Sequence, residues 1–269
     1  MELHSGARVI AVQRYRIRTL AIHQHFFVAV ILGRKGLYTD AESIEALPSE
    51  GLLVARGTQW DVVNDPAGQH CYETIALTPG DDILREFDKL PVAAGTVPVT
   101  SAHRLRVDDE LMDAMRRTLP ISEARPLSDA LLKHRIMEVL ILLAERGWRF
   151  VPGEALDWPD RVRRLVAQRP HGEWNVAALA ASFHVSESTL RRRLESSDVT
   201  LAALVREVRL ESALGMLQTT ALPVSEVARR CGWDSHSRFS AAFHQRWGVA
   251  PSVVRSRLKE TAQPLTENG

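Results

Sequence analysis

The sequence predicts a mixed α+β chain of two domains, a β-rich barrel or jelly-roll-like domain completed by helices, followed by an all-α domain. Three observations predict it. From residue 8 to about 80 short apolar runs alternate with turn chemistry, after LTPGDD the apolar spacing changes to three and four, and from residue 174 onward the sequence repeats itself once. The 269 residues leave room for two ordinary domains, and 45% hydrophobic with 25% charged residues is the balance of a folded globular chain.

The elements follow in order. FFVAVILG, GLLVARG and CYETIAL have strand length and strand composition, and GRKG, NDPAG and TPGDD divide them. ILREF is a short helix. VDDELMDAMRRTL and LSDALLKHRIMEVLILLAERG are longer ones, the second carrying Leu131, Ile136, Val139, Leu140 and Leu143 at helical spacing. That helix is apolar around much of its circumference, so it is buried in its own domain or packed against a second subunit. ERGWRFVPGEALDWPDR holds two prolines and two glycines and reads as the linker, which divides the chain into residues 1–148, a linker at 149–158 and a second domain at 159–260. Asp157 is placed to cap a helix whose first turn contains Pro159 and which continues as RVRRLVAQ.

Several function classes are excluded. AIHQHFFVAVILG is too short to span a bilayer and is interrupted by His23, Gln24 and His25, and MELHSGARVI has no secretory signal pattern, so a cytoplasmic protein without membrane contact is expected. Cys71 and Cys231 form neither a disulfide framework nor a metal pair. The formal net charge is +1, so any polyanion must be met by local clusters; Arg191, Arg192 and Arg193 are consecutive, and Arg229, Arg230 and Arg238 form a second group.

The repeat carries the function. LAASFHVSESTLRRRL aligns with VARRCGWDSHSRFSAAF, 48 residues apart at the first apolar position and 49 at the last. Each copy has an apolar residue and alanine, a small turn, a serine cap (Ser186, Ser235) and a new helix marked by apolar residues four apart, Leu190 with Leu194 and Phe239 with Phe243. Each copy is a helix-turn-helix. Helical spacing turns Glu187, Ser188, Arg191 and Arg192 outward in the first and His236, Ser237, Arg238, Ala241 and Gln245 outward in the second, and these faces, with the two cap serines, are the surfaces offered to DNA. Arg193 points elsewhere, towards Glu195 or Asp198. Between the copies, Leu201, Leu204, Val205, Val208, Leu214 and Leu217 make TLAALVREVRLESALGMLQ a helix about 28 Å long, close to the roughly 34 Å of one duplex turn. Such a spacer could hold two reading helices in successive major grooves.

With LAASFHVSESTLRRRLE, VREVRLESALGMLQTT and PVSEVARRCGWDSHSRFSAAFHQRWGVAPSVVR, residues 174 to about 257 resemble the DNA-binding domain of the AraC/XylS family of bacterial transcription regulators. The resemblance covers about a third of the chain. It implies a binder in which the second helix of each motif enters the major groove, with Ser188, Arg191 and Arg192 as base or phosphate contacts of the first reader and His236, Ser237 and Arg238 as those of the second. Arg255, after the closing Pro251, is implied as a backbone contact. Ala241 departs from the family pattern, in which arginine is common. The partners implied are double-stranded DNA and RNA polymerase, with no cofactor.

The first half is similar in layout to the effector and dimerisation half of such regulators, and GLLVARGTQW with CYETIALTPGDDILREF is similar to the branch that controls virulence and acid-stress genes. That likeness implies a cupin-like or barrel domain with dimerisation helices, a fatty acid or other small carboxylate as effector, and a homodimer that acts as an activator.

Other chemistry is weighed beside this. His23 and His25 form an HxH pair, half of a metal-binding cupin signature, but no glutamate follows before Gly33. With Arg34 and Lys35 the two histidines could instead line a pocket for an anionic effector; a surface strand and turn is the alternative. No GxSxG elbow, GxxxxGK[ST] loop or HExxH helix is present, and Cys71 in GQHCYET is not the reactive cysteine that an enzyme fused to a DNA-binding module would need, so no enzyme is expected. A regulator whose helix-turn-helix region acts through protein contacts is the alternative function.

Overall fold

The computed structural model describes residues 5–40, 42–120, 127–153, 157–197 and 199–255. The chain divides into two compact units between Gly153 and Glu154. Residues 154–156 of the sequence-derived linker and residues 256–260 of the sequence-derived second domain lie outside the described residues.

The first unit runs β1 (Ser5–Ala11), β2 (Tyr15–Ala21), β3 (Phe26–Leu32), β4 (Arg34–Tyr38), β5 (Ser43–Ala46), β6 (Glu50–Val54), β7 (Gln59–Asp65) and β8 (Tyr72–Thr78), then α1 (Asp81–Phe87), a single 3-10 turn at Pro91–Ala93, β9 (Val97–Pro98), β10 (Ala102–Arg106), α2 (Asp109–Arg117), α3 (Asp129–Glu145) and β11 (Trp148–Arg149). Two antiparallel sheets form, a five-stranded one in the order β1-β8-β3-β6-β10 and a four-stranded one in the order β2-β7-β4-β5. The chain crosses between them at nearly every turn, as in a jelly roll. One such corner is Gly33, whose φ of +78° and whose position against Asp65 O, 2.5 Å from where a Cβ would stand, admit only glycine.

The unbroken apolar run of β3 has its cause in this layering. Phe27 and Ala29 join a core with Leu53, Ile75 and Leu77, over which α1, α2 and α3 pack, while the alternate residues Val28 and Val30 point to the other face and are buried there too. A sheet covered on both faces has no polar alternation to show. Helix α3 gives Ile136, Val139, Leu140 and Leu143 to the same core, whereas Leu131 near its start is 39% exposed. Arg149 pairs with Pro98 in β11, and Phe150 is part of the core.

The second unit is all helix: α4 (Trp158–Gln168), α5 (Val176–Ser182), α6 (Glu187–Glu195), α7 (Leu201–Thr219), α8 (Val224–Arg230), α9 (His236–Trp247) and α10 (Pro251–Val254). Asp157, Asn175, Ser186, Thr200 and Ser235 each accept from the backbone amide three residues on, so five of the seven helices start on a side-chain cap. The 19 residues of α7 are the spine. Leu204, Val205 and Val208 pack with Val162, Val166, Leu179, Leu190 and Leu194 on one side, and Leu210, Ala213, Leu214 and Leu217 are buried further along. Among the described residues no helix is long and apolar enough to cross a membrane, and no group of His, Cys, Asp and Glu could hold a metal ion.

Candidate nucleic-acid interface

Helices α5 and α6 make the first helix-turn-helix, and α8 and α9 the second. In each, the second helix is seated by apolar residues four apart: Leu190 and Leu194 under α6, Phe239, Phe243 and Trp247 under α9. Cys231 is buried in the turn between α8 and α9, and burial pushes its thiol up to about 12, so it serves as a small apolar filler. Seating fixes what faces outward. Glu187, Ser188, Arg191 and Arg192 are exposed on α6, and His236, Ser237, Arg238, Ala241 and Gln245 are exposed on α9. Ser186 and Ser235 hold the helix starts, accepting from the amides of Thr189 at 3.2 Å and Arg238 at 3.3 Å, and Arg255 is half-buried at the end of α10.

The cations divide into two kinds. Arg191 meets Glu187 one turn back at 3.7 Å, a loose pair between exposed groups that leaves its guanidinium available. Arg193 turns inward and lies over the ring of Trp158, 4.3 Å from its centroid, rather than reaching Glu195. Asp198, the other expected partner, is outside the described residues. The second basic group of the sequence also separates: Arg229 and Arg230 are held on α8 by Glu226 at 2.7 and 2.6 Å, which keeps that carboxyl down at about 2, while Arg238 stands apart on α9. Three further arginines serve the spine. Arg206 donates to Gln245 at 3.2 Å, Arg246 pairs with Glu207 at 2.6 Å, and Arg209 donates to the carbonyls of Pro170 and Gly172. Arg206 and Arg246 fasten α9 to α7, so the second reading helix is held rigidly to the spine.

The two turns are built from the same backbone with different residues. Gly232 takes φ +76°, where a Cβ would meet Pro170 O and Arg209 Cζ at 2.9 Å. The equivalent bend of the first motif is taken by His184, at φ +53°. A non-glycine residue there is strained by roughly 1–2 kcal/mol, part of which glycine would give back as chain entropy. His184→Gly is therefore expected to raise the stability of the unit by about 1 kcal/mol and Gly232→Ala to lower it by more than that. Thermal unfolding of the two variants checks the pair, and a shift of the same sign in both would contradict this assignment of the turns.

The family model described as a helix-turn-helix domain matches residues 179–257, from α5 to beyond α10. The urease operon transcriptional activator of Escherichia coli is 26% identical over 258 residues, covering 88% of this chain and 85% of that protein. The DNA-binding dual transcriptional regulator Rns of Escherichia coli is 29% identical over 252 residues, covering 91% and 95%. Residues 179–257 thus carry a helix-turn-helix domain like that of AraC-type regulators, and over most of its length the chain is similar to regulators of transcription. A solved structure of ToxT from Vibrio cholerae with unsaturated fatty acid bound is similar over 93% of both chains, with a TM-score of 0.59 at 15% identity, which extends the likeness of fold to the β-rich unit. The matched segment contains α6 and α9, the second helices of the two helix-turn-helix motifs of a transcription regulator.

The four residues expected to line an effector pocket in this regulator do not come together. His23 is exposed. His25 is buried just before β3, its Nε2 donating to Val151 O at 2.9 Å and its Nδ1 accepting from the Arg56 amide at 3.2 Å. Arg34 and Lys35 stand beyond the other end of β3, about 20 Å of extended chain away. Arg34 is taken up by Asp65 at 2.8 Å and Glu45 at 3.3 Å. Lys35 is buried without an acidic partner among the described residues: its Nζ donates to Asn64 Oδ1 at 2.8 Å, Asn64 donates on to Tyr15 Oη at 2.6 Å, and the ring of the buried Tyr72 lies 6.0 Å away. Burial pushes the Lys35 ammonium down to about 7. Asn64, Tyr15 and Tyr72 escaped sequence reasoning because they are scattered over three strands.

Proposed function

We propose that this protein is a cytoplasmic, homodimeric activator of transcription that lays α6 and α9 into successive major grooves, and that a fatty acid or similar small carboxylate bound by the β-rich unit controls it. The observation that carries the reading is the mounting of two capped, outward-facing helices on one 19-residue spine. That spine is about 28 Å long, near one duplex turn. Ser188, Arg191 and Arg192 are the base and phosphate contacts of α6, His236, Ser237 and Arg238 those of α9, and Arg255 a backbone contact. RNA polymerase is the protein partner, and the β-rich unit is a sensor and dimerisation module rather than a catalyst.

The effector assignment rests on ToxT, whose structure holds an unsaturated fatty acid, and on Lys35 here, which among the described residues has no acidic partner. A buried ammonium that meets only an amide is under-satisfied, and a carboxylate would complete it. His23, His25 and Arg34 have no part in that contact. The alternative, a helix-turn-helix unit that acts through proteins, is favoured by Ala241, which leaves α9 one cation short of the family pattern.

One set of gel shifts decides among these. Full-length protein on fragmented genomic DNA is expected to bind selected fragments, with affinity falling steeply between 50 and 200 mM salt because phosphate neutralisation supplies much of the free energy. Added oleate is expected to shift that affinity in wild type and to leave Lys35→Met unmoved. Binding that is absent or indifferent to salt refutes the DNA-reading function and leaves the protein-contact alternative. Equal oleate responses in both proteins refute Lys35 as the anchor.

A further inference from the structure

We propose that Trp158, outside both helix-turn-helix motifs, is a positioning residue that sets the sequence specificity of the first one. The inference rests on the reading of α6 as a DNA-reading helix. Trp158 is the first residue of α4, held there by the Asp157 cap, which accepts from the Asp160 amide at 2.8 Å, and by Pro159 beside it. Its indole makes two contacts with the first motif. Phe183, which closes α5 at the turn, meets it edge-on with centroids 5.4 Å apart and planes at 82°, and Arg193 of α6 lies over it at 4.3 Å. Arg161, one turn along α4, covers the same ring at 4.7 Å. Among the described residues neither arginine has an acidic partner, and the Trp158 indole is the group that Arg193 packs against there.

The consequence follows from helix geometry. Leu190 and Leu194 seat α6 along a single line, about one turn apart, and a single line of contact leaves a helix free to roll. Arg193 lies about 100° round from Leu194 and supplies the second line. Without it, a roll of about 10° would move a group about 6 Å from the axis by about 1 Å. That exceeds the width of the hydrogen-bond distance window, and it acts on Arg191 and Arg192, whose donors must meet base edges. Phosphate attraction tolerates such a shift; base reading does not. Trp158 thus acts on discrimination and leaves general affinity alone.

The test uses the full-length chain. Duplexes selected by wild type from a 40-base-pair random library give the specific probe, and a scrambled duplex of the same composition gives the non-specific one. Arg193→Lys, which keeps the charge but has no planar group to stack, is expected to keep the wild-type melting temperature within a few degrees and its affinity for the scrambled duplex, while the ratio of specific to scrambled affinity falls about tenfold. Trp158→Ala is expected to do the same and Trp158→Phe to restore the ratio. A wild-type ratio in folded Arg193→Lys overturns the proposal, as does an equal fall on both duplexes, which would mark Arg193 as a phosphate contact. Should Trp158→Ala fail to fold, Arg193→Lys decides. Failure of wild type to enrich any duplex would instead refute the DNA-reading function itself.

Discussion

Leu204→Ala is expected to lower the stability of the helical unit by about 2 to 5 kcal/mol, whereas Arg191→Ala leaves stability within about 0.5 kcal/mol and reduces discrimination between DNA sites by about 1 to 3 kcal/mol. The two residues belong to adjoining helices and answer to different physics. Leu204 is 1% exposed on the spine, packed with Val162 and Val166 of α4 and with Leu190 and Leu194 beneath the reading helix. Truncation leaves a cavity at the junction of three helices, where no neighbour can relax without disturbing another. Arg191 is exposed and pairs loosely with Glu187, and its removal costs the fold almost nothing. Urea unfolding of the full chain followed by tryptophan fluorescence, with affinities measured on selected and scrambled duplexes, separates the two effects. Two variants with wild-type folding and wild-type site preference would show that these helices have been assigned the wrong roles.

How much of this was legible in the sequence differs between the two halves for a physical reason. A helix advertises itself locally. The serines at 186 and 235 cap the helices that follow them, the apolar residues four apart lie underneath, and the spine runs over Leu201–Thr219, one residue displaced from the sequence reading. Sheet pairing is not local. Val97–Pro98 and Trp148–Arg149 make a ladder only because each finds the other, some fifty positions away, and a two-residue strand carries no periodicity of its own. Ala102–Arg106 is equally hidden, its HRLR reading as polar surface until β6 pairs with it.

The same distinction explains the site residues. The face of α6 follows from 100° per residue, so Arg191 and Arg192 could be placed outward and Arg193 off that face, though towards Glu195 or Asp198 rather than inward. The partner of Arg193 could not be found, because Trp158 lies 35 positions upstream and nothing in RRRLE refers to it. Among the effector residues, closeness in sequence misled. His25 and Lys35 are ten positions apart, but the seven-residue strand β3 stands between them and carries them to its opposite ends, with Lys35 in the other sheet.

His25 is the site of the pH effect expected below neutrality. Its ring is buried and lies 4.9 Å from Phe150, and both nitrogens are committed to neutral imidazole: Nε2 gives its proton to Val151 O, and Nδ1 must stay bare to accept from the Arg56 amide. Desolvation, reinforced by the Arg56 charge and opposed by the Val151 carbonyl and Asp81, lowers its pKa from 6.5 to about 4. The folded form therefore resists a proton that the unfolded chain accepts below pH 6.5. Stability from this group is complete above 6.5 and is lost as pH falls from there to about 4, up to about 3 kcal/mol. Between pH 7.5 and 5 wild type should lose about 2 kcal/mol more than His25→Gln, which can donate to Val151 O but does not titrate in this range. Urea unfolding at the two pH values measures it, and equal losses would show that folding does not disfavour the protonated form of His25. This ring holds Val151 through its carbonyl and Phe150 through its face; two positions on, the Gly153 amide donates to Asp81 at 3.0 Å beside the Arg56 guanidinium. Protonation would first loosen this end of the β-rich unit.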